Sequence, residues 1–191
     1  MSRTAPLRLG VLLSGTGRTL ANLVDRIARG TLHAKIAVVI SDRPGVLGLT
    51  RAREAGLPAF VTRDPEETFA ILRAHRVDLV CLAGYLRLLR IPPDFTGRVL
   101  NIHPALLPKF GGKGFYGHRV HEAVLAAGER ESGCTVHVCD ERYDEGEILV
   151  QKRVPVLPGD DPDTLAARVF AAECEAYPEA IALWAERHAG R

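Results

Sequence analysis

The sequence predicts an α/β fold: a Rossmann-like, mostly parallel sheet with helices on both faces and an antiparallel C-terminal extension. Three observations carry this. Unbroken apolar runs alternate with helical patterns through the first hundred residues. Strands without polar alternation are buried on both faces, the condition of a parallel sheet. A turn of small residues follows the first apolar run directly. Beyond residue 117 the strands begin to alternate, as half-covered antiparallel strands do.

The elements follow in order. Leu7–Leu13 is a strand, and Arg18–Arg29 a helix with Leu20, Leu23, Val24 and Ile27 on one face. Lys35–Ile40 (KIAVVI) is a second buried strand, Val46–Ala55 a helix and Ala59–Val61 a short strand. Pro65–His75 is a helix with proline in its first turn, where the missing N–H costs nothing. Asp78–Ala83 (DLVCLA) is a strand, Leu86–Leu89 starts a short helix stopped by Pro92 and Pro93, and Arg98–Ile102 is a strand. Residues 104–117, rich in Gly, Pro and Lys, form a loop before a helix over His118–Ala127. Ser132–Val138 alternates, Glu147–Val154 is another strand, and Asp163–Arg187 is a long closing helix with Pro178 inside it. The whole is expected to be one domain, with a nucleotide-binding half over about residues 7–103 and a second half over about 104–191.

Bulk properties narrow the function. The chain has 191 residues, enough for one sizeable core. Its net charge is only +2, from 25 basic against 23 acidic residues, so no nucleic-acid or anionic-membrane partner is expected. No apolar stretch approaches the roughly 18 residues of a membrane span, and residues 1–6 (MSRTAP) lack a signal-peptide core. Cys81, Cys134, Cys139 and Cys174 contain no C-x-x-C pair, so they read as reduced cysteines in a cytoplasmic protein, with no metal expected.

The turn after the first strand, Ser14 to Thr19, has the form strand, glycine turn, helix, which holds a phosphate on backbone N–H groups and the helix dipole. Its owner is narrowed by what the turn lacks. A dinucleotide fingerprint needs a third glycine where Leu20 stands, although Asp42 occupies the place of the ribose-binding acid. No Gly-Lys-Ser/Thr follows, which excludes a Walker loop. Flavodoxin-like Ser-Gly-Thr-Gly-x-Thr is present, but the single Trp, Trp184, lies in the terminal helix and Tyr85 alone is placed to cover a ring. A monophosphate at Gly15–Thr19 survives, beside the bland alternative of a plain strand–helix turn.

Asn101 and His103 flank Ile102 at the end of a buried strand, so both side chains face one site. An Asn amide there can donate to a developing oxyanion, worth about 3–4 kcal/mol in favourable cases. A His can move a proton near neutral pH. Asp144 lies in a turn closed by Gly146, and a carboxylate beside His103 raises the histidine pKa and orients the ring.

Five stretches, LSGTGRTL, LAGYLRLL, NIHPALLPKF, SGCTVHVCDERYDEGEILVQ and ARVFAAECEAYP, occur in the order and spacing of the phosphoribosylglycinamide formyltransferases of purine synthesis. The resemblance covers essentially the whole chain. It implies direct transfer of the formyl group of 10-formyltetrahydrofolate, a cosubstrate, to the amine of glycinamide ribonucleotide, without a metal. It implies that Asn101 stabilises the tetrahedral oxyanion, that His103 acts as acid–base, and that Asp144 holds His103 protonated. Gly17, Arg18 and Thr19, with Gly15, match the ribonucleotide phosphate segment, and Glu173 matches a substrate-binding glutamate. Leu86, Arg87, Leu88 and Leu89 match the pterin-side segment, as do Asp140, Glu141, Arg142, Tyr143 and Asp144; Asn101 also faces the folate.

The chain departs from the family pattern at residues 110–117 (FGGKGFYG), a longer loop in which Lys113 reads as solvated. Phe170 stands where the family often has a polar residue and is not carried over. Arg63 is a loose match to a folate-binding arginine. Rival readings are 10-formyltetrahydrofolate hydrolase, for whose extra N-terminal domain no room is expected before Leu7, methionyl-tRNA formyltransferase, whose nucleic-acid-binding domain is not expected here, and a non-catalytic phosphosugar or flavin module. The expected state is a monomer or weak homodimer.

Overall fold

The structure is a computed structural model that describes residues 5–140 and 142–188. Its elements are β1 (Leu7–Leu13), α1 (Arg18–Ala28), β2 (Ala34–Ser41), α2 (Leu47–Glu54), β3 (Ala59–Val61), α3 (Pro65–Ala74), β4 (Leu79–Leu82), a 3-10 turn at Pro93–Phe95, β5 (Val99–His103), α4 (His118–Ala126), β6 (Glu131–Val138), β7 (Ile148–Pro155) and α5 (Pro162–His188). The strands are ordered β3-β2-β1-β4-β5-β6-β7 in one seven-stranded sheet, the α/β arrangement that the sequence predicts.

The chain divides into two compact units, one ending at Val99 and the other starting at Leu100. In the first, β1 runs parallel to β2 on one side and to β4 on the other, and β3 pairs parallel with β2. Consecutive residues of β1, Val11, Leu12 and Leu13, are fully buried, as are Val38 and Val39 of β2 and Leu79 and Val80 of β4. Strands covered on both faces leave no position for polar alternation, which is why these runs are unbroken. Leu20 and Leu23 turn one face of α1 inward. Asp64 caps α3 by accepting the Glu66 N–H at 2.9 Å, with Pro65 behind it and Glu66 and Glu67 in the first turn. Such a cap contributes about 1 kcal/mol.

The second unit is antiparallel. β5 pairs with β6 and β6 with β7, and α5 packs on β6, β7 and α4. Tyr177 of α5 is fully buried and its hydroxyl donates to the Leu100 carbonyl at 3.0 Å, which fixes the helix against β5. α5 continues through Pro178, whose ring is buried.

β5 takes its ladder with β6 from Leu100, where the second unit begins. One expectation changes. Leu86–Leu89 is not helical. The seven residues between a left-handed Gly84 and the pair Pro92–Pro93 are too few to sustain a helix, and the segment is held instead by the Leu86 N–H donating to Ser14 Oγ at 3.0 Å.

Candidate active site

In the first unit, the turn after β1 is made of backbone. Gly17 is the N-cap of α1 and has a left-handed φ of 71°. A Cβ there would lie 2.6 Å from Gly48 Cα, so only glycine fits both the dihedral and the contact. No side chain caps α1, and the N-terminal end of a helix presents backbone N–H groups and a positive dipole end to an anion. The turn is braced from behind: the Ser14 N–H donates to the Gly84 carbonyl at 3.1 Å and the Gly48 N–H to the Gly15 carbonyl at 3.0 Å. Ser14 therefore ties the predicted phosphate segment to the predicted pterin-side segment, where Leu86 and Leu88 are exposed and Leu89 is buried. Gly15 and Arg18 are exposed and Thr19 is half-buried.

In the second unit, the structure brings Asn101, His103 and Asp144 together. Asn101 and His103 project from one face of β5. Asn101 Nδ2 donates to Asp144 Oδ1 at 3.3 Å and lies 3.2 Å from His137 Nε2. His103 Nδ1 stands 3.6 Å from Asp144 Oδ2, while its Nε2 lies 2.7 Å from the Phe110 carbonyl. A carbonyl only accepts, so Nε2 carries a proton. In the neutral ring Nδ1 is then the free base, and it is the nitrogen that faces Asp144. The Asp144 carboxylate also accepts the Gly112 N–H at 2.9 Å.

Two residues of this cluster, Phe110 and Asp144, have left-handed φ values of 56° and 58°. Non-glycine residues in that region cost of order 1–3 kcal/mol each, and such strain persists where the surroundings impose it. Here the strained backbone aims the Phe110 carbonyl at His103 and the Asp144 carboxylate between His103 and Asn101. Gly111 makes the approach possible: a Cβ there would come within 2.5 Å of Leu107 Cδ2 and 3.3 Å of Asp144 Cβ.

The electrostatics correct one expectation. His103 has its pKa lowered, not raised: burial of the ring outweighs the Asp144 charge and the Phe110 hydrogen bond, and His137 adds to the lowering. Asp144 thus favours the protonated ring without overcoming the burial that disfavours it. Burial acts to raise the Asp144 carboxyl, but the His137 hydrogen bond, the His103 charge and the Gly112 N–H together outweigh it and lower it. Asp144 is an anion at neutral pH, beside a histidine poised as a base.

Asp140 accepts the Arg142 N–H at 2.8 Å, Arg142 pairs with Glu145 at 2.7 Å, and Tyr143 is exposed. Glu141 lies outside the described residues. Glu173 is on α5, close enough to Cys134 to add to the burial that pushes that thiol up to about 12. Arg87 is exposed, Lys113 is exposed as expected, and Arg63 Nε donates to the Asp42 carbonyl at 2.8 Å. The four cysteines are free thiols.

The sequence reading missed His137, which is 1% exposed and sits opposite Asn101 in the β5–β6 register. The signal was present: Thr135 and His137 share one face of an alternating strand, and a histidine on a covered face needs a polar partner. It also missed Phe110, Gly111 and Gly112, which act through backbone atoms and close packing.

The comparisons with known proteins fit this geometry. Residues 7–181 match the family described as Formyl transferase. A trifunctional purine biosynthetic protein adenosine-3 of Drosophila melanogaster is 46% identical over 189 residues, 92% of this chain and 14% of that protein. A chloroplastic phosphoribosylglycinamide formyltransferase of Vigna unguiculata is 41% identical over 94% of this chain and 62% of its own length. The chain thus spans a minor part of the fly protein and under two thirds of the plant one. The crystal structure of glycinamide ribonucleotide transformylase 1 from Symbiobacterium toebii superposes with a TM-score of 0.88 at 42% identity, covering 96% of this chain and 90% of that one.

Proposed function

The chain belongs to the formyl transferase family, and on that premise we propose that it transfers the formyl group of 10-formyltetrahydrofolate to the amine of glycinamide ribonucleotide. The products are formylglycinamide ribonucleotide and tetrahydrofolate, a step of de novo purine synthesis. The observation that carries the reading is the Asn101–His103–Asp144 cluster with its buried, base-form histidine.

The ribonucleotide amine attacks the formyl carbon on N10 of the folate, forming a C–N bond and a tetrahedral oxyanion. Asn101 Nδ2 turns from Asp144 to donate to that oxygen, a donor worth about 3–4 kcal/mol where well placed. His103 Nδ1 accepts a proton released by the attacking amine, directly or through water, and the neighbouring Asp144 carboxylate stabilises the cation so formed. The same proton returns to N10 as the C–N10 bond breaks, so the ring ends as it began. The Phe110 carbonyl keeps Nε2–H engaged and reserves Nδ1 for this transfer.

The backbone of Gly15 to Thr19 is the proposed anchor for the ribonucleotide phosphate, with Glu173 on its sugar or glycinamide. Leu86–Leu89 and Asp140–Asp144 are the proposed folate contacts. Cytoplasmic location, a monomer or weak homodimer, and the absence of nucleic-acid and membrane partners belong to the same reading; no helix among the described residues is long and apolar enough to cross a membrane.

The test is an assay of tetrahydrofolate release with and without glycinamide ribonucleotide. Release that requires the ribonucleotide and yields its formylated product is expected. Equal release without it would overturn the reading in favour of 10-formyltetrahydrofolate hydrolysis.

A further inference from the structure

His103, Thr135 and Gln151 stand opposite one another across three strands: His103 pairs with Thr135 in the β5–β6 register and Thr135 with Gln151 in the β6–β7 register. Directly opposed residues share a face, so the three side chains form one polar row. Thr135 is fully buried, which makes its bonds matter. Its hydroxyl donates to the Ala105 carbonyl at 2.7 Å and accepts the Leu107 N–H at 3.1 Å. The Gln151 amide donates twice, to Thr135 Oγ1 at 2.9 Å and to the Leu107 carbonyl at 3.1 Å. Every donor and acceptor in this set except the Gln151 carbonyl is thereby used to hold residues 105–107. Three residues further on is Phe110, whose carbonyl takes the His103 Nε2–H.

We propose that Thr135 and Gln151 are positioning residues for His103: they clamp the chain at Ala105 and Leu107 so that the strained Phe110 carbonyl meets Nε2 and leaves Nδ1 to the reacting proton. The inference rests on the acid–base role proposed for His103. Neither residue touches the reacting groups. The clamp closes a ring from β5 through residues 105–110 and back to His103, and β6 and β7 supply its anchor. A displacement of about 1 Å at such a catalytic group can cost about 100-fold in rate.

The direct reading is the solvent-exchange rate of the His103 Nε2 proton in the substrate-free protein, by 15N-edited NMR, assigned by its loss in His103→Asn. The wild type is expected to show a slowly exchanging Nε2–H. Gln151→Leu, which keeps the volume and removes both donors, is expected to speed that exchange at least about tenfold while the backbone amides of β6 exchange as before. It is also expected to lower kcat about 10- to 100-fold with little change in either KM. Thr135→Val should act alike and Thr135→Ser should restore both readings. An unchanged Nε2–H exchange in Gln151→Leu overturns the proposal, and Gln151 is half-buried at the sheet margin, so this variant tests it even if Thr135→Val fails to fold. The exchange reading needs no substrate. A protein with the expected exchange pattern but no ribonucleotide-dependent transfer would therefore refute the transferase reading and leave the clamp standing.

Discussion

The two units carry their functional groups in opposite ways. The parallel unit offers backbone: a glycine N-cap, the N-terminal end of α1 and a brace from Ser14 to Gly84. The antiparallel unit offers side chains, Asn101, His103, His137 and Asp144, on one covered face and one strained turn. A backbone site tolerates changes of neighbouring side chains but not an added Cβ. A side-chain site tolerates nothing at its own positions, and it needs a scaffold that fixes rotamers by packing and hydrogen bonds.

This contrast can be broken most directly at the side-chain cluster. Asn101→Ala, His103→Ala and Asp144→Ala should each lower kcat roughly 100- to 1,000-fold while ribonucleotide affinity, read by calorimetry, stays within a few-fold. Near-normal turnover in Asp144→Ala would remove it from the mechanism. Next in size, Gly17→Ala should do the reverse. Its Cβ would meet Gly48 and its φ is left-handed, so ribonucleotide KM should rise about tenfold or more and stability should fall by about 1–3 kcal/mol, with kcat at saturation little changed. A kcat defect larger than the KM defect would erase the distinction between the units.

His137→Ala should be intermediate, lowering kcat about tenfold, because Asn101 and Asp144 lose a shared neighbour and keep each other. Titration sharpens the same contrast. His121 on α4 is buried and its pKa is lowered to about 4 by burial, by His118 and by His103. The unfolded chain protonates at the ordinary value of 6.5, so it binds more protons than the folded chain between pH 6.5 and about 4. Stability should therefore fall with pH through that window. Asp144, lowered in the fold, adds a loss at still lower pH as it protonates. Urea midpoints measured from pH 7 to 4 should show a shallower decline in His121→Leu than in the wild type; equal slopes would deny the histidine its part. The smallest effect is expected for Arg18→Ala, a change of a few-fold at most in ribonucleotide KM, because the proposed anchor is the backbone of that turn.

The legibility of the molecule follows the same division. β1, β2 and β4 were readable because burial on both faces leaves an unbroken apolar run, and α3 because Asp64 and Pro65 announce its start. Leu86–Leu89 misled because its apolar pattern suits a helix, whereas the prolines and the Ser14 hydroxyl decide otherwise. Asn101, His103 and Asp144 were legible as residue types in a motif. The direction of the His103 pKa was not, since it depends on how much water the fold removes from the ring.

Periodicity and spacing along the chain were enough to read the seven strands, the five α-helices, the glycine turn and the Asn-x-His pair on one strand face, and motif resemblance the family to which the chain belongs. All of these are local. It took the folded arrangement to show that His137 joins Asn101, that Phe110 and Gly112 reach His103 and Asp144 through backbone atoms, and that burial outweighs Asp144 at His103. Those facts depend on strand register, on a left-handed turn and on desolvation. They arise from how the chain folds back on itself, which no local pattern records.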